Sequence, residues 1–410
     1  MSGSSSRRRT GFSPPPYPHD RLTELAEVAA AHSGGMVDLS VGTPCDPPPR
    51  AVVDALASSG AERGYPASAG SARLKDAVIG WLARRFAVTV DRDQVAACVG
   101  TKEFVASVAW YLRLRSPDRD TVLAPAIAYP TYALGAELAG CRTVLVPTGP
   151  DGTMDFGALS RDDAARAVVL WVNSPANPTG VIIDLEAAAS FGRAFGIPVI
   201  SDECYAEFSW SRWPPATVLG SGTDGVVALH SLSKRSNLAG LRIGCYAGDA
   251  ALVGYLSEVR KHAGLMAAGP VQAAAAVAWE DDEHVERQRT RYRRRLERLA
   301  AVLRDAGLLV DLPDGGFYLW VPAPASASGD GPAEGGPGGA WALAGALAEI
   351  AGVLVSPGDF YGPAGAGHVR IAVVQPDDRL ELVARRLATT LRPLSAPGSG
   401  AVPGTGAHRR

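Results

Sequence analysis

Long apolar runs are missing from this chain of 410 residues: no stretch approaches the ~18 uncharged apolar residues of a membrane span. Cysteine is scarce. Cys45, Cys98, Cys141, Cys204 and Cys245 make an odd count of five, with no two at CxxC spacing. A disulfide framework or zinc knuckle is therefore excluded, and the thiols are expected to be small buried hydrophobes in a reducing compartment. A dominant charge is missing too. Lys+Arg is 40 and Asp+Glu is 42, a formal charge of −2, so nothing general draws the chain to nucleic acid or an anionic membrane. The nucleotide signatures are absent: there is no GxxxxGK[ST] loop, and Gly365-Ala366-Gly367-His368 lacks the third glycine of a dinucleotide loop. The histidines are scattered, without HExxH or an equivalent pair, so no metal is expected.

What is present is an ordinary globular composition, 47% apolar and 20% charged, which excludes bulk disorder. The length allows two or three domains at about 150 residues each. Gly, Pro and Ser gather at the ends and in one internal stretch. Residues 1–18 and 395–410 are expected to be disordered tails, and 324–340 a flexible surface loop. Arg7-Arg8-Arg9 resembles the start of an export signal, but Ser13-Pro14-Pro15-Pro16 follows where an apolar run is needed. A cytoplasmic location is the expectation.

Between these segments, apolar runs at Thr121–Pro125, Arg142–Val146, Ala167–Asn173, Pro198–Asp202, Val226–His230 and Arg242–Ala247 alternate with helix-like stretches. Short Val/Ile/Leu runs without polar alternation suit strands buried on both faces, as in a parallel sheet. The fold class is α/β. Ser71–Phe86 carries a helical stripe at Leu74, Val78, Trp81, Leu82 and Phe86. Residues 284–306 repeat it with Tyr292, Leu296, Leu299 and Leu303, and Gly307 suits a C-cap. The run Arg291-Tyr292-Arg293-Arg294-Arg295 in that helix is offset by Glu286 and Glu297 and reads as a solvated face.

The chemistry sits just after the strands. Ser231-Leu232-Ser233-Lys234, followed by Arg242, puts an amine beside hydroxyls and a guanidinium. A lysine past a buried strand can be partly desolvated and act as a nucleophile. Its neighbours suit a phosphate dianion. In Ser201-Asp202-Glu203-Cys204-Tyr205, the carboxylate of Asp202 could hold a proton on a pyridinium nitrogen and Tyr205 could reach a phenolic oxygen. Asn173-Ser174-Pro175-Ala176-Asn177-Pro178-Thr179-Gly180 is a turn that can present Asn177 to a ligand. Gly100-Thr101-Lys102-Glu103 opens a helix, and a helix N-terminus is an anion site. Taken singly, each also suits a loop, a cap or a turn. Their order and spacing together are specific.

In that combination the sequence resembles the fold-type-I pyridoxal-phosphate aminotransferases, from about Asp38 to Leu387. The resemblance implies pyridoxal 5'-phosphate as cofactor, held by Lys234 through a Schiff base, with Asp202 on the pyridine nitrogen. It implies Tyr205 and Asn177 as donors to the phenolic oxygen, and a phosphate cup of Ser231, Ser233, Arg242, Thr101 and Lys102. Tyr129 would stack on the ring. Tyr65, in Gly64-Tyr65-Pro66, would reach the partner subunit's phosphate in a homodimer. Arg370 would grip the substrate carboxylate, with Gly42 on its other side. The implied architecture is a large domain over residues 45–285, with a mostly parallel sheet between helices. The smaller α+β domain takes residues 286–394, joined by the segment 19–44. Reaction would be ping-pong between an amino acid and a 2-oxo acid.

Within that family the segments Asp38–Pro44, His230–Gly240, Glu258–Gly264 and Pro357–Pro363 are similar to actinobacterial N-succinyldiaminopimelate aminotransferases of lysine biosynthesis. The sequence departs from them at Thr101, at Tyr17-Pro18-His19-Asp20, at Ala67–Ser71 and in the loop 324–340. Two other readings stay open: an aminotransferase of a secondary-metabolite pathway, and a lyase or cyclase on the same cofactor site. A transcription regulator is not expected, because residues 1–37 cannot hold a DNA-binding domain.

Overall fold

The computed structural model describes residues 12–149, 151–211, 213–324 and 338–389. The expected tail 395–410 and most of the expected loop 324–340 lie outside them. Two expectations at the edges are corrected. Pro18 opens a 3-10 helix, Pro18–Leu22, so the end of the N-terminal segment is folded. Gly339 opens the helix Gly339–Ala351 rather than closing a loop.

In chain order the strands are β1 (Val37–Asp38), β2 (Val95–Cys98), β3 (Thr121–Pro125), β4 (Arg142–Val146), β5 (Ala167–Asn173), β6 (Val199–Asp202), β7 (Val226–Ser231), β8 (Gly244–Gly248), β9 (Tyr318–Pro322), β10 (Val353–Leu354), β11 (Ser356–Pro357) and β12 (His368–Ala372). Seven form one sheet in the order β2-β8-β7-β6-β5-β3-β4. Only β8 opposes the rest, pairing antiparallel with β7 and β2. Every residue of β5 and β7 is buried, as strands covered on both faces require.

Side-chain alternation sorts these strands into two cores. On one face Leu170, Val172, Val199 and Ala228 pack with Val78, Trp81 and Leu82 of the helix Ala72–Phe86 and Trp279 of the helix Gly269–Glu280. On the other, Val169, Trp171, Ile200 and Leu229 meet Phe104 and Val108 of the helix Thr101–Arg115, Tyr132 of Thr131–Leu138 and Leu256 of Ala250–His262. Each fully buried large side chain contributes about 1.5–3 kcal/mol, so two such faces fix the strand ends firmly.

A separate core joins the antiparallel sheet β11-β12-β9 to the helices Glu283–Asp305, Gly339–Ala351 and Asp377–Thr389. The N-terminal strand β1 pairs parallel with β10 beside it. Among the described residues no helix is long and apolar enough to cross a membrane. Cys98, Cys141 and Cys245 are buried as expected, Cys204 is half-buried, and Cys45 is exposed.

Candidate active site

The carboxyl ends of β5, β6 and β7 open into a cavity of about 250 Å3, lined also by Tyr17, His19, residues 41–43, Tyr318 and Arg370. This is where open α/β sheets bind ligands. Lys234, Asp202, Tyr205, Thr101, Lys102, Tyr129, Asn177, Ser231, Ser233, Arg242, Gly42 and Arg370 all line it. Tyr65 does not: it is 98% exposed.

Lys234 lies in a short helix, Leu232–Arg235, that follows β7 directly. The Ser231 hydroxyl caps this helix by accepting from the Ser233 N–H at 3.1 Å. Lys234 is half-buried, and its Nζ donates to the Gly42 carbonyl at 2.5 Å. The next residue anchors the helix. Arg235 is buried and donates from Nε to Glu207 at 3.0 Å, where Trp81 Nε1 also donates at 2.7 Å and Arg85 Nε at 2.9 Å. Two guanidiniums overcome burial and keep the Glu207 carboxyl below its usual range.

Asp202 closes β6. Tyr132 Oη donates to its carboxylate at 3.0 Å and the Cys204 N–H at 3.2 Å. Burial nevertheless pushes its carboxyl above the usual range, against the hydrogen bonds of Cys204 and Tyr132 and the charge of Lys234. Tyr205 shares a hydrogen bond with Tyr318 at 2.9 Å, and burial keeps its phenol protonated well above the ordinary range.

The Thr101–Arg115 helix starts at Gly100 with no side-chain cap, which leaves its first N–H groups unclaimed by a cap. The Glu103 carboxylate steadies that end: it accepts from the Val99 N–H at 3.2 Å and from Arg260 Nη1 at 3.1 Å. Gly100 has φ +75°, and a Cβ there would lie 2.3 Å from Arg242 Nη2. The guanidinium is thus laid across the helix start. Arg242 itself adopts φ +53°, a conformation a non-glycine residue takes at a cost.

Arg370 on β12 is buried. It donates from Nη1 to Asn177 Oδ1 at 2.8 Å and from Nη2 to the Ser40 carbonyl at 2.5 Å, with its guanidinium over Tyr318 at 4.2 Å. Its Nε has no partner, and among the described residues it pairs with no carboxylate. A buried cation without a counter-ion is a place for a ligand's anion. Asn177 has its carbonyl oxygen committed to Arg370, which leaves the amide NH2 to donate elsewhere.

These residues can hold an aldehyde by an amine, a phosphate by a helix start and an arginine, and a carboxylate by a second arginine. A sequence profile for aminotransferases of class I and II matches residues 34–387.

The chain belongs to the class I and II aminotransferases.

Among their curated members, the 4-dedimethylamino-4-oxo-anhydrotetracycline transaminase OxyQ of Streptomyces rimosus is 41% identical, over 91% of this chain and 99% of its own length. An LL-diaminopimelate aminotransferase of Dehalococcoides mccartyi (strain ATCC BAA-2266 / KCTC 15142 / 195) is 30% identical, covering 91% and 96%. Among solved structures, the "probable N-succinyldiaminopimelate aminotransferase" of Thermus thermophilus superposes with TM-score 0.78 at 30% identity, covering 92% and 100%. The cofactor of this aminotransferase is pyridoxal phosphate, and its fold is fold type I. The residues present fit the cofactor: the Gly100–Arg242 cradle suits its phosphate, and the raised Asp202 carboxyl suits a protonated ring nitrogen.

Sequence reasoning missed three contributors. Tyr132 holds Asp202, and its place three residues after Tyr129 was the available signal. Tyr318 bonds Tyr205 and crowds Gly42, where a Cβ would lie 1.9 Å from its hydroxyl; nothing local marks it. Tyr17 sits in the expected tail, yet it lines the cavity and accepts a hydrogen bond from Lys102 Nζ at 3.1 Å.

Proposed function

We propose that this aminotransferase takes its amino group from an amino acid with a second acidic end, N-succinyl-LL-2,6-diaminopimelate. The glutamate/2-oxoglutarate couple would be its partner, in a ping-pong cycle. The observation that carries this reading is Arg370, a buried cation facing the Lys234 cavity without a protein counter-ion. Lys102 adds a second cation there. Burial opposes its charge, but Tyr129 and Tyr17 more than offset this and hold its ammonium above the ordinary range. Similarity to the diaminopimelate enzymes supports the same substrate class.

Roles follow residue by residue. The bound cofactor supplies an electron-accepting ring. Lys234 Nζ holds the cofactor and moves the proton at the substrate Cα. Asp202, steadied by Tyr132, keeps a proton on the ring nitrogen. Tyr205 and Asn177 donate to the phenolic oxygen, and Tyr129 stacks on the ring. Ser231, Ser233, Arg242 and the N–H groups of Thr101 and Lys102 hold the phosphate. Arg370 grips the α-carboxylate, with the Gly42 backbone beside it. Tyr65 serves the partner subunit's phosphate in a homodimer, a role its full exposure leaves available. Function in the cytoplasm and in lysine biosynthesis belongs to the same proposal.

A second reading, amino transfer in a secondary-metabolite pathway, is favoured by the 41% identity to OxyQ. The two separate in a single half-reaction. Holoenzyme is mixed with N-succinyl-LL-diaminopimelate and no oxo acid. Conversion of the cofactor to its amino form, with the matching oxo acid by mass spectrometry, is expected. Conversion by glutamate alone would transfer the proposal to the second reading.

A further inference from the structure

Two cavities meet at the N-terminal segment. Beside the main one lies a smaller one of about 50 Å3, walled by Pro18, Pro130, Phe360 and Tyr361. His19 and Arg370 line both. The small cavity is therefore where a side chain can go when the α-carboxylate is on Arg370. Its walls are largely apolar, and His19 stands at the junction, its ring hydrogen-bonded to the Ser40 backbone and its Nε2 left over.

His19 is held in place from several sides. Its ring stacks on Tyr17 at 5.6 Å and lies 5.8 Å from Phe360. Its 3-10 helix is pinned to the small domain by Arg21, which pairs with Asp359 at 2.8 Å and lies over the Trp341 ring at 4.9 Å. Yet His19 Nε2 is out of solvent and has no hydrogen-bond partner. A buried polar atom left unpaired is costly, and in a cavity wall it points to a ligand. Burial, and then the Arg370 charge, push the imidazole below its usual pKa. The neutral ring offers one donor and one acceptor.

We propose that His19 is a specificity residue that reads the far end of the substrate. The substrate class is an amino acid whose apolar stem passes the walls of the small cavity and ends in a carboxylate or amide that hydrogen-bonds the imidazole. This rests on the proposed amino transfer and narrows it. Polar groups left unpaired by an apolar analogue give such a site its discrimination.

The test compares 2-aminoadipate with norleucine, which have the same stem and a polar or apolar end, in the half-reaction of holoenzyme. Adipate and hexanoate serve as unreactive ligands read by the cofactor spectrum. Wild type is expected to favour the polar-ended member of each pair. In His19→Phe the preference falls about tenfold, and the change appears in the apparent Kd rather than the limiting rate. His19→Asn, which keeps a donor and an acceptor, restores most of it. His19→Leu replaces His19→Phe should the latter not fold. An unchanged ratio in the apolar variant, no rescue by Asn, or no preference in wild type overturns the proposal. Failure of amino transfer itself is distinguishable, because the dead-end ligands still report the discrimination when no half-reaction occurs.

Discussion

At the scale of single residues, the charges lining the cavity are held by different partners. Among the described residues no guanidinium or ammonium is hydrogen-bonded to Asp202; Tyr132 and Cys204 hold its carboxylate in place. Asp202→Ala is expected to retain the cofactor's visible band while lowering the half-reaction rate by about 10²–10³-fold, the scale of one preorganised electrostatic contact. An unaltered rate would remove Asp202 from the ring nitrogen. Arg370 offers a planar fork that lysine cannot reproduce. Arg370→Lys is expected to weaken amino-acid binding about 10- to 100-fold, read as the apparent Kd of the half-reaction, with a smaller effect on its limiting rate. Asp202 was legible in the sequence because it ends a strand within a short motif, whereas Arg370, inside β12, came only with the family resemblance. Tyr318 was not, since only packing brings it to Gly42, and Tyr132 was marked only by its place beside Tyr129. His19 stood out only as a departure from relatives, and its unpaired nitrogen is a tertiary fact.

At the scale of elements, strands carry the site because their ends are locked by two cores, and that locking has a cost in pH dependence. Glu203 on the β6 side faces His230 of β7 at 3.4 Å, both buried. Burial raises the Glu203 carboxyl to about 7 and lowers His230 to about 4; it also lowers His284 to about 4. Between pH 6.5 and 4 the unfolded chain binds protons on both histidines that the folded chain refuses, so stability falls with acid. Glu203 works the other way: folded, it keeps a proton from about 7 down to its unfolded value near 4.5, so its contribution falls as pH rises through that window. Glu203→Gln is therefore expected to steepen the loss of Tm between pH 6.5 and 4.5. A slope equal to wild type would contradict the assignment. β5 is recognisable because Ala167–Asn173 is a continuous apolar run, whereas the reversed direction of β8 leaves no trace in a strand buried on both faces. The two-residue strands β1, β10 and β11 are too short to show a period, and Arg242, expected to open β8, instead turns in a left-handed conformation before it.

At the scale of the whole molecule, the cavity lies between the two sheets, with Arg370 and Tyr318 from the three-stranded one and Lys234 and Asp202 at the ends of strands of the seven-stranded one. Tyr65 stands apart, fully exposed. In the proposed homodimer, light scattering should give twice the chain mass. Tyr65→Phe should leave that mass unchanged and weaken cofactor binding several-fold, the loss of one hydrogen bond to a charged group. A fully active monomer would contradict the shared site. The central claim is that Lys234, rather than the neighbouring Lys102, carries the cofactor. Reduction of holoenzyme with borohydride, followed by digestion and mass spectrometry, tests it directly. A phosphopyridoxyl group is expected on the peptide containing Lys234; the same group on the Lys102 peptide, or on neither, would overturn that assignment.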